Sequence, residues 1–498
     1  MNSALLYQWL FLRLSRRFTL PFLIAAVALL GLAFPPLARR AVTSLPPLPA
    51  ALAVLALLAL ALLASLWAAT AVYRLAPPRP AAWFDPARSP PPSPLSSGPA
   101  EGLGRYRRIG LILAGGGAKG AYQAGALTAV HGFLTERGAL GNVRMIAGTS
   151  IGAWNACFWL AGMVSEEPDA PLERWWSRLD LSEVVAPTYY LPAGRNYVLS
   201  AGPWRQAFRT LFRDHPAARD RLEAVMREPD GPGSLRFYLT RTNVERAHLE
   251  FSTNRHDLVD LDNYSGRRRP LEPPDRWTRV RTLEDLEQSV FASMDLPPLF
   301  EYVRIGDETF EDGGVVDNLP IYFGTGIEKC DLLFVFPLNA SYASGVDRRR
   351  ILRRMQRVLS IRQGALERKA LKDVYLYNEL AALRGLAGGT RLAEVPILAD
   401  ASPAGSDPAL REAAARSLGE RAAGRVHRPV QIFAVCPNEP LAIDTIEFWK
   451  TEEAGRAYRL MREHTRWELE RFDFDAAPNW IRVALVGPGG EVHYLEDF

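Results

Sequence analysis

Two long apolar stretches open the chain. Positions 18–38 and 41–73 contain no charged residue, and 51–64 is nearly all Ala, Leu and Val. A helix needs roughly twenty apolar residues to cross a hydrocarbon core of about 30 Å. The pattern therefore predicts two membrane spans, at about 18–38 and 48–73, within an N-terminal region 1–76. Arg39, Arg40 and a Pro-rich turn link them as a hairpin. A cleaved signal peptide fits less well, because no small-residue cleavage site stands out and a second span follows at once. Arg13, Arg16 and Arg17 before the first span, with Arg74, Arg79 and Arg88 after the second, outweigh the two arginines between them. Both ends are then expected on the cytoplasmic side. Positions 77–106 are rich in Pro, Ser, Arg and Gly, a composition that buries no core and reads as a tether.

Beyond the tether, short apolar runs alternate with stretches of helical period. Runs at 109–114, 143–147, 235–240, 248–252, 332–336 and 430–435 read as strands. Helical patterns follow Gly120 through Tyr122, Leu127 and Val130, and again over 153–162. An amphipathic stretch spans 350–386, read first as packing on the domain and second as lying on a membrane, and a charged helix runs to about Glu470. Such alternation predicts a layered α/β fold, with a catalytic region at 107–327 and an α/β extension at 328–498 that completes it.

Composition changes this picture little. At 498 residues and 48% hydrophobic, the chain can bury a large core. Cys157, Cys330 and Cys436 are too few and too scattered for a disulfide framework or a metal site. Net charge is +4, and the clusters Arg267-Arg268-Arg269 and Arg348-Arg349-Arg350 read first as solvated surface and second as contacts for anionic lipid. No motif points to nucleic acid.

The chemistry sits at the strand ends. The strand at 143–147 leads into Gly148-Thr149-Ser150-Ile151-Gly152 and then a helix, the layout of a nucleophile elbow. Strand 109–114 leads into Gly115-Gly116-Gly117-Ala118-Lys119-Gly120 and another helix, whose unpaired backbone N–H groups suit an oxyanion or a phosphate. Gly115, Gly117 and Gly120 also fit a dinucleotide fingerprint. That reading wants an acid at the end of the second strand, and the nearest, Glu136, falls where the first helix ends. A base for Ser150 is offered by Asp312 in Asp312-Gly313-Gly314, where the two glycines permit a tight turn. A Ser-Asp-His triad would need His427, His464 or His493, and none has a distinctive setting. Trp154, Phe158, Trp159, Trp175, Trp176, Tyr189 and Tyr190 suggest an acyl pocket or cap, although those at helical spacing after Ser150 read as core.

The order Gly-Gly-Gly-Ala-Lys-Gly, Gly-Thr-Ser-Ile-Gly, Asp-Gly-Gly, with Ala292-Ser293-Met294-Asp295-Leu296-Pro297-Pro298-Leu299-Phe300 before the last, resembles the patatin-like phospholipase family. The resemblance implies a three-layer patatin-like α/β sheet flanked by helices. It also implies acyl-ester hydrolysis of phospholipids or lysophospholipids by a Ser-Asp dyad without a cofactor or metal. By matched motif positions Ser150 would be the nucleophile and Asp312 the base. Gly115, Gly116 and Gly117 would form the oxyanion hole, supported by Lys119, Gly120, Gly148, Gly152, Gly313 and Gly314. With the hairpin ahead of it, the expectation is a multi-pass protein of a bacterial inner membrane that acts on bilayer lipid from the cytoplasmic side. A transacylase with the same dyad, and a non-catalytic scaffold that keeps the fold, are the alternatives.

Overall fold

The computed structural model describes residues 103–187, 197, 199–229, 234–256, 276–297, 299–339, 351–387, 430–437, 443–472, 474, 481–486 and 492–495. The two expected membrane spans, most of the tether, Tyr189, Tyr190 and both arginine clusters lie outside these residues. Among the described residues no helix is long and apolar enough to cross a membrane.

A central mixed sheet, flanked by helices, organises the chain. Its strands are β1 (Ile109–Leu113), β2 (Val143–Gly148), β5 (Arg236–Asn243), β6 (His248–Thr253), β7 (Arg276–Arg279), β8 (Val303–Ile305), β9 (Glu308–Asp312), β10 (Leu332–Phe336), β11 (Gln431–Pro437), β12 (Ile481–Val486) and β13 (Val492–Leu495). Two short strands, β3 (Ala186–Pro187) and β4 (Leu199–Ser200), pair separately. The main order is β13-β12-β11-β10-β1-β2-β5-β6-β7, with β9 pairing both β5 and β8. From β12 to β5 the neighbours are parallel. Parallel strands covered on both faces read as unbroken apolar runs, and every residue of β1, β10 and β11 is buried. That is why the sequence runs were legible as strands.

The principal helices are α1 (Gly120–Glu136), α2 (Ile151–Leu160), α3 (Pro171–Arg178), α4 (Gly202–Phe208), α5 (Pro216–Arg227), α6 (Leu283–Met294), α7 (Ile351–Ala387) and α8 (Thr451–Arg471). The amphipathic stretch after position 350 is thus one 37-residue helix. Trp154 and Phe158 are fully buried and belong to the core, as their helical spacing predicted, and Trp175 and Trp176 are buried with them. The tether ends earlier than its composition suggested. Leu103 and Tyr106 are buried, and the Tyr106 hydroxyl donates to the Phe474 carbonyl at 2.7 Å.

Topology brings the chemistry to one place. β1 lies between β2 and β10, so the chain leaves neighbouring strands in divergent directions at their carboxyl ends. Open α/β sheets bind ligands at such a switch point. The glycine loop follows β1 and Ser150 follows β2. β9 reaches the same end by antiparallel pairing: β2 uses one edge of β5 up to the pair Gly148 and Leu239, and β9 resumes that edge with Asp312 opposite Arg241. Asp312 therefore stands where β2 would have continued, beside Ser150.

Candidate active site

Ser150 has φ 54° and ψ −124°, a positive φ on a residue with a side chain. Such conformations cost on the order of 1–3 kcal/mol and persist only where the surroundings over-determine them. Here Thr149 N–H donates to the Leu113 carbonyl at 3.0 Å, and Thr149 Oγ1 pairs with Thr240 Oγ1 at 2.6 Å. Ser150 N–H donates to Ser293 Oγ at 2.9 Å. A Cβ on Gly152 would lie 2.4 Å from the Leu113 carbonyl oxygen, so only glycine lets α2 start this close to β1. Gly148 packs against Gly152 from the strand side.

Asp312 ends β9 and caps the turn Gly313–Val315. Its carboxylate accepts the Gly314 N–H at 2.7 Å, and the Ser150 side chain lies close enough to lower its pKa. The Asp312 backbone is fixed on both sides, by its N–H to the Asp295 carbonyl at 2.9 Å and by Thr242 Oγ1 to its own carbonyl at 2.9 Å. Burial pushes the carboxyl up to about 6, against Ser150 and the Gly314 N–H, which hold it down. That is the range in which a carboxylate can take a hydroxyl proton near neutral pH.

The glycine loop requires one correction to the sequence expectation. Gly115 N–H donates to the Asn318 carbonyl at 3.2 Å, and Asn318 Nδ2 donates back to the Gly115 carbonyl at 3.1 Å. Gly115 is thereby anchored and its N–H is committed, so it fastens the loop instead of serving the oxyanion. Gly116 and Gly117 line the cleft together with Ser150, Ile151 and Asp312. Ile151 is the first residue of α2, and its N–H has no helical partner. The residue after an elbow nucleophile is a recurrent oxyanion donor, so Gly116, Gly117 and Ile151, which line the cleft, are the candidate donors. Gly117 has φ +59°, and a Cβ there would lie 2.0 Å from the Thr445 carbonyl oxygen. Gly117→Ala is expected to displace the loop, lowering turnover by about 10²-fold, the effect of losing one oxyanion donor. Steady-state hydrolysis of a chromogenic ester checks it.

Lys119 points away from the cleft. It is buried, and Nζ donates to Asn339 Oδ1 at 2.8 Å and Ser360 Oγ at 3.4 Å. Burial lowers its pKa, offset in part by Asp444 and Glu367. Glu367 on α7 is the hub of this network. It accepts from Asn318 Nδ2 at 2.5 Å, Asn339 Nδ2 at 2.6 Å and Asn339 N–H at 3.2 Å, and burial pushes its carboxyl up to about 7. Asn318 thus joins Glu367 to Gly115. Glu367→Ala strands three buried donors, each costing about 1–3 kcal/mol when unpaired. The expected result is a lower melting temperature and a fall in kcat of roughly tenfold, from a misplaced loop, with little change in KM. Glu367→Gln should lose less, because its oxygen still accepts from both asparagine side chains.

The cleft encloses about 610 Å³, part of it open to solvent. Its walls are apolar, with Leu181, Leu199, Trp204, Leu296, Phe300 and Phe448 among them. Among the described residues no histidine lines it. His464 lies on α8, and His493 lies on edge strand β13, five strands from β2 or about 24 Å at ordinary strand spacing. His427 is outside the described residues. A largely apolar cleft with a serine hydroxyl beside a buried carboxylate, and backbone donors, suits attack on a carbonyl attached to a long apolar chain.

Residues 111–323 match the family model for patatin-like phospholipases. Over that segment the chain is similar to a patatin-like phospholipase domain. The family is one of lipid acyl hydrolases, and the match spans all three motifs from the glycine loop to Asp312. Strands β10 to β13 and helices α7 and α8 lie beyond the matched segment. Among solved structures, the crystal structure of VipD from Legionella pneumophila is similar over 74% of this chain and 67% of that one, at 15% identity and a TM-score of 0.31. No curated protein matches the chain.

Four residues at this patatin-like site were not singled out as functional from sequence: Ile151, Ser293, Asn318 and Glu367. The first three sit inside the motifs: Ile151 follows Ser150, Asn318 lies six residues after Asp312, and Ser293 belongs to the segment 292–300. Glu367 carried no signal, because it reaches the loop only through the packing of a helix far along the chain.

Proposed function

We propose that the protein is a serine acyl hydrolase that cleaves acyl esters of phospholipids or lysophospholipids at a membrane, through a dyad of Ser150 and Asp312. Ser150 Oγ attacks the ester carbonyl as its proton passes to Asp312. The N–H groups of Gly116, Gly117 and Ile151 stabilise the oxyanion. Collapse expels the alcohol, which takes the proton from Asp312 and leaves an acyl-enzyme. Water, deprotonated by Asp312, attacks that ester, the fatty acid leaves, and the proton returns to Ser150. The observation that carries this reading is a buried carboxylate, Asp312, beside Ser150 in a largely apolar cleft. The apolar spans at 18–38 and 48–73 support placement in an inner membrane, with the catalytic domain on the cytoplasmic side.

The test is product analysis of purified protein on mixed phospholipid vesicles. Free fatty acid and the matching lysolipid or glycerophosphodiester are expected, with neither from Ser150→Ala. Transfer of the acyl group to an added alcohol in preference to water would replace hydrolysis with transacylation.

A further inference from the structure

Helix α7 has two faces of opposite character. Gly364, Glu367, Leu371, Val374 and Asn378 form a buried stripe at helical spacing, which fastens it to the domain. The outward side does not look like a solvated surface. Half of the exposed large hydrophobic side chains among the described residues are on this helix, including Val358 at 64%, Ile361 at 50% and Leu376 at 48% exposure. Val358, Ala365, Lys369 and Leu376 fall at i, i+7, i+11 and i+18, one outward line down the helix. Arg362, Lys369 and Lys372 are exposed among them, whereas Asp373 is the sole exposed acid between 357 and 376. Apolar side chains interleaved with cations are the composition of a helix that lies on an anionic lipid surface.

Position ties this face to the cleft. Gln363 lines the cleft, the Arg362 guanidinium reaches the Val315 carbonyl three residues after Asp312, and Val316 is itself exposed. The outward face of α7 therefore borders the opening through which an ester would reach Ser150.

We infer that the outward face of α7 is the surface by which the catalytic domain docks on a bilayer containing anionic lipid, presenting the cleft to the membrane. This rests on the acyl-hydrolase reading for its purpose, while the docking itself is measured without turnover. Val316 and Ile361 would enter the head-group boundary beside the cleft, and Arg362, Lys369 and Lys372 would meet lipid phosphates. On the inner side the same helix holds the glycine loop through Glu367, so docking and the oxyanion site share one rigid element.

The experiment uses the full chain reconstituted into vesicles of phosphatidylcholine, alone or with phosphatidylglycerol. The three native thiols are buried, so a polarity-sensitive dye on Val358→Cys reports this face alone. Its emission should shift to the blue with phosphatidylglycerol, shift less with phosphatidylcholine alone, and relax as salt screens the charges. The triple variant Val358→Ser, Lys369→Glu, Leu376→Ser should lose on the order of tenfold in turnover of bilayer lipid while keeping its rate on a short-chain soluble ester. A dye that stays water-exposed in both compositions overturns the inference. So does a blue shift present before vesicles are added, which means another protein surface covers the face. Equal loss on bilayer lipid and soluble ester also overturns it. Failure of the wild type on every ester, with the dye shift intact, removes the hydrolase reading and leaves the docking surface standing.

Discussion

Ser150→Ala is expected to lower fatty-acid release by about 10⁴-fold or more, leaving only what the oxyanion donors supply without a nucleophile. The protein should remain folded, because the change removes one oxygen and leaves the backbone bonds to Ser293 and Leu113 in place. A fluorophosphonate probe should label the wild type at Ser150 and leave the variant unlabelled. Labelling at another serine, or undiminished release from the variant, would sink the assignment. A companion variant separates function from strain. Ser150→Gly also removes the nucleophile, yet it relieves the positive φ of 54°. Set against Ser150→Ala, it should be more stable by about 1 kcal/mol, the strain relieved less the added chain entropy of glycine. Thermal melts of the two inactive variants measure that difference directly.

Asp312→Asn should lower turnover by about 10³-fold and at the same time stabilise the fold. Loss of activity follows because an amide cannot accept the serine proton. The gain in stability follows from linkage. The Asp312 carboxyl is raised from 3.8 to about 6, chiefly by burial. A carboxyl raised on folding favours the protonated form in the native state. Its contribution is fully present below the unfolded pKa and is lost as pH rises through about 6. A shift of about two units is worth at most about 3 kcal/mol above pH 6, which asparagine, uncharged at every pH, does not lose. Activity and stability should therefore run in opposite directions. Below pH 6 the rate of the wild type should fall about tenfold per unit, as Asp312 takes up its proton. Stability should rise over the same range, helped by Asp295 and Glu367, which burial pushes up to about 8 and about 7. An acid limb that survives unchanged in Asp312→Asn, or a wild type most stable above pH 8, would refute the assignment of this carboxylate as the base.

Much of the site was legible in the residues themselves. A serine between two glycines, at the end of one apolar run and the start of another, has few other uses. The strands announced themselves because both sheet faces are covered, so β1 and β10 are apolar without a break and β2 is interrupted only by Arg144. Gly115 was placed with the oxyanion donors because its sequence position equals that of its neighbours. Nothing local distinguishes a glycine whose N–H faces the cleft from one whose N–H is taken by Asn318, 203 residues away. The end of the tether was misjudged for a similar reason, since Leu103 and Tyr106 are core residues only because Phe474 and β11 lie against them.

The sequence by itself determined the chemical inventory: a strained serine, a carboxylate before two glycines, a loop of unpaired N–H groups, and two apolar spans ahead of them. Each depends on residue type and on spacing of a few positions, which short-range geometry fixes. Tertiary structure decided which of these meet. Asp312 came to lie beside Ser150 because β9 takes up the edge of β5 that β2 leaves at Gly148, a juxtaposition across 162 residues that no local pattern encodes. It also decided that α7 would hold the glycine loop with one face and leave the other bare, because burial of a helix stripe is settled by what packs against it.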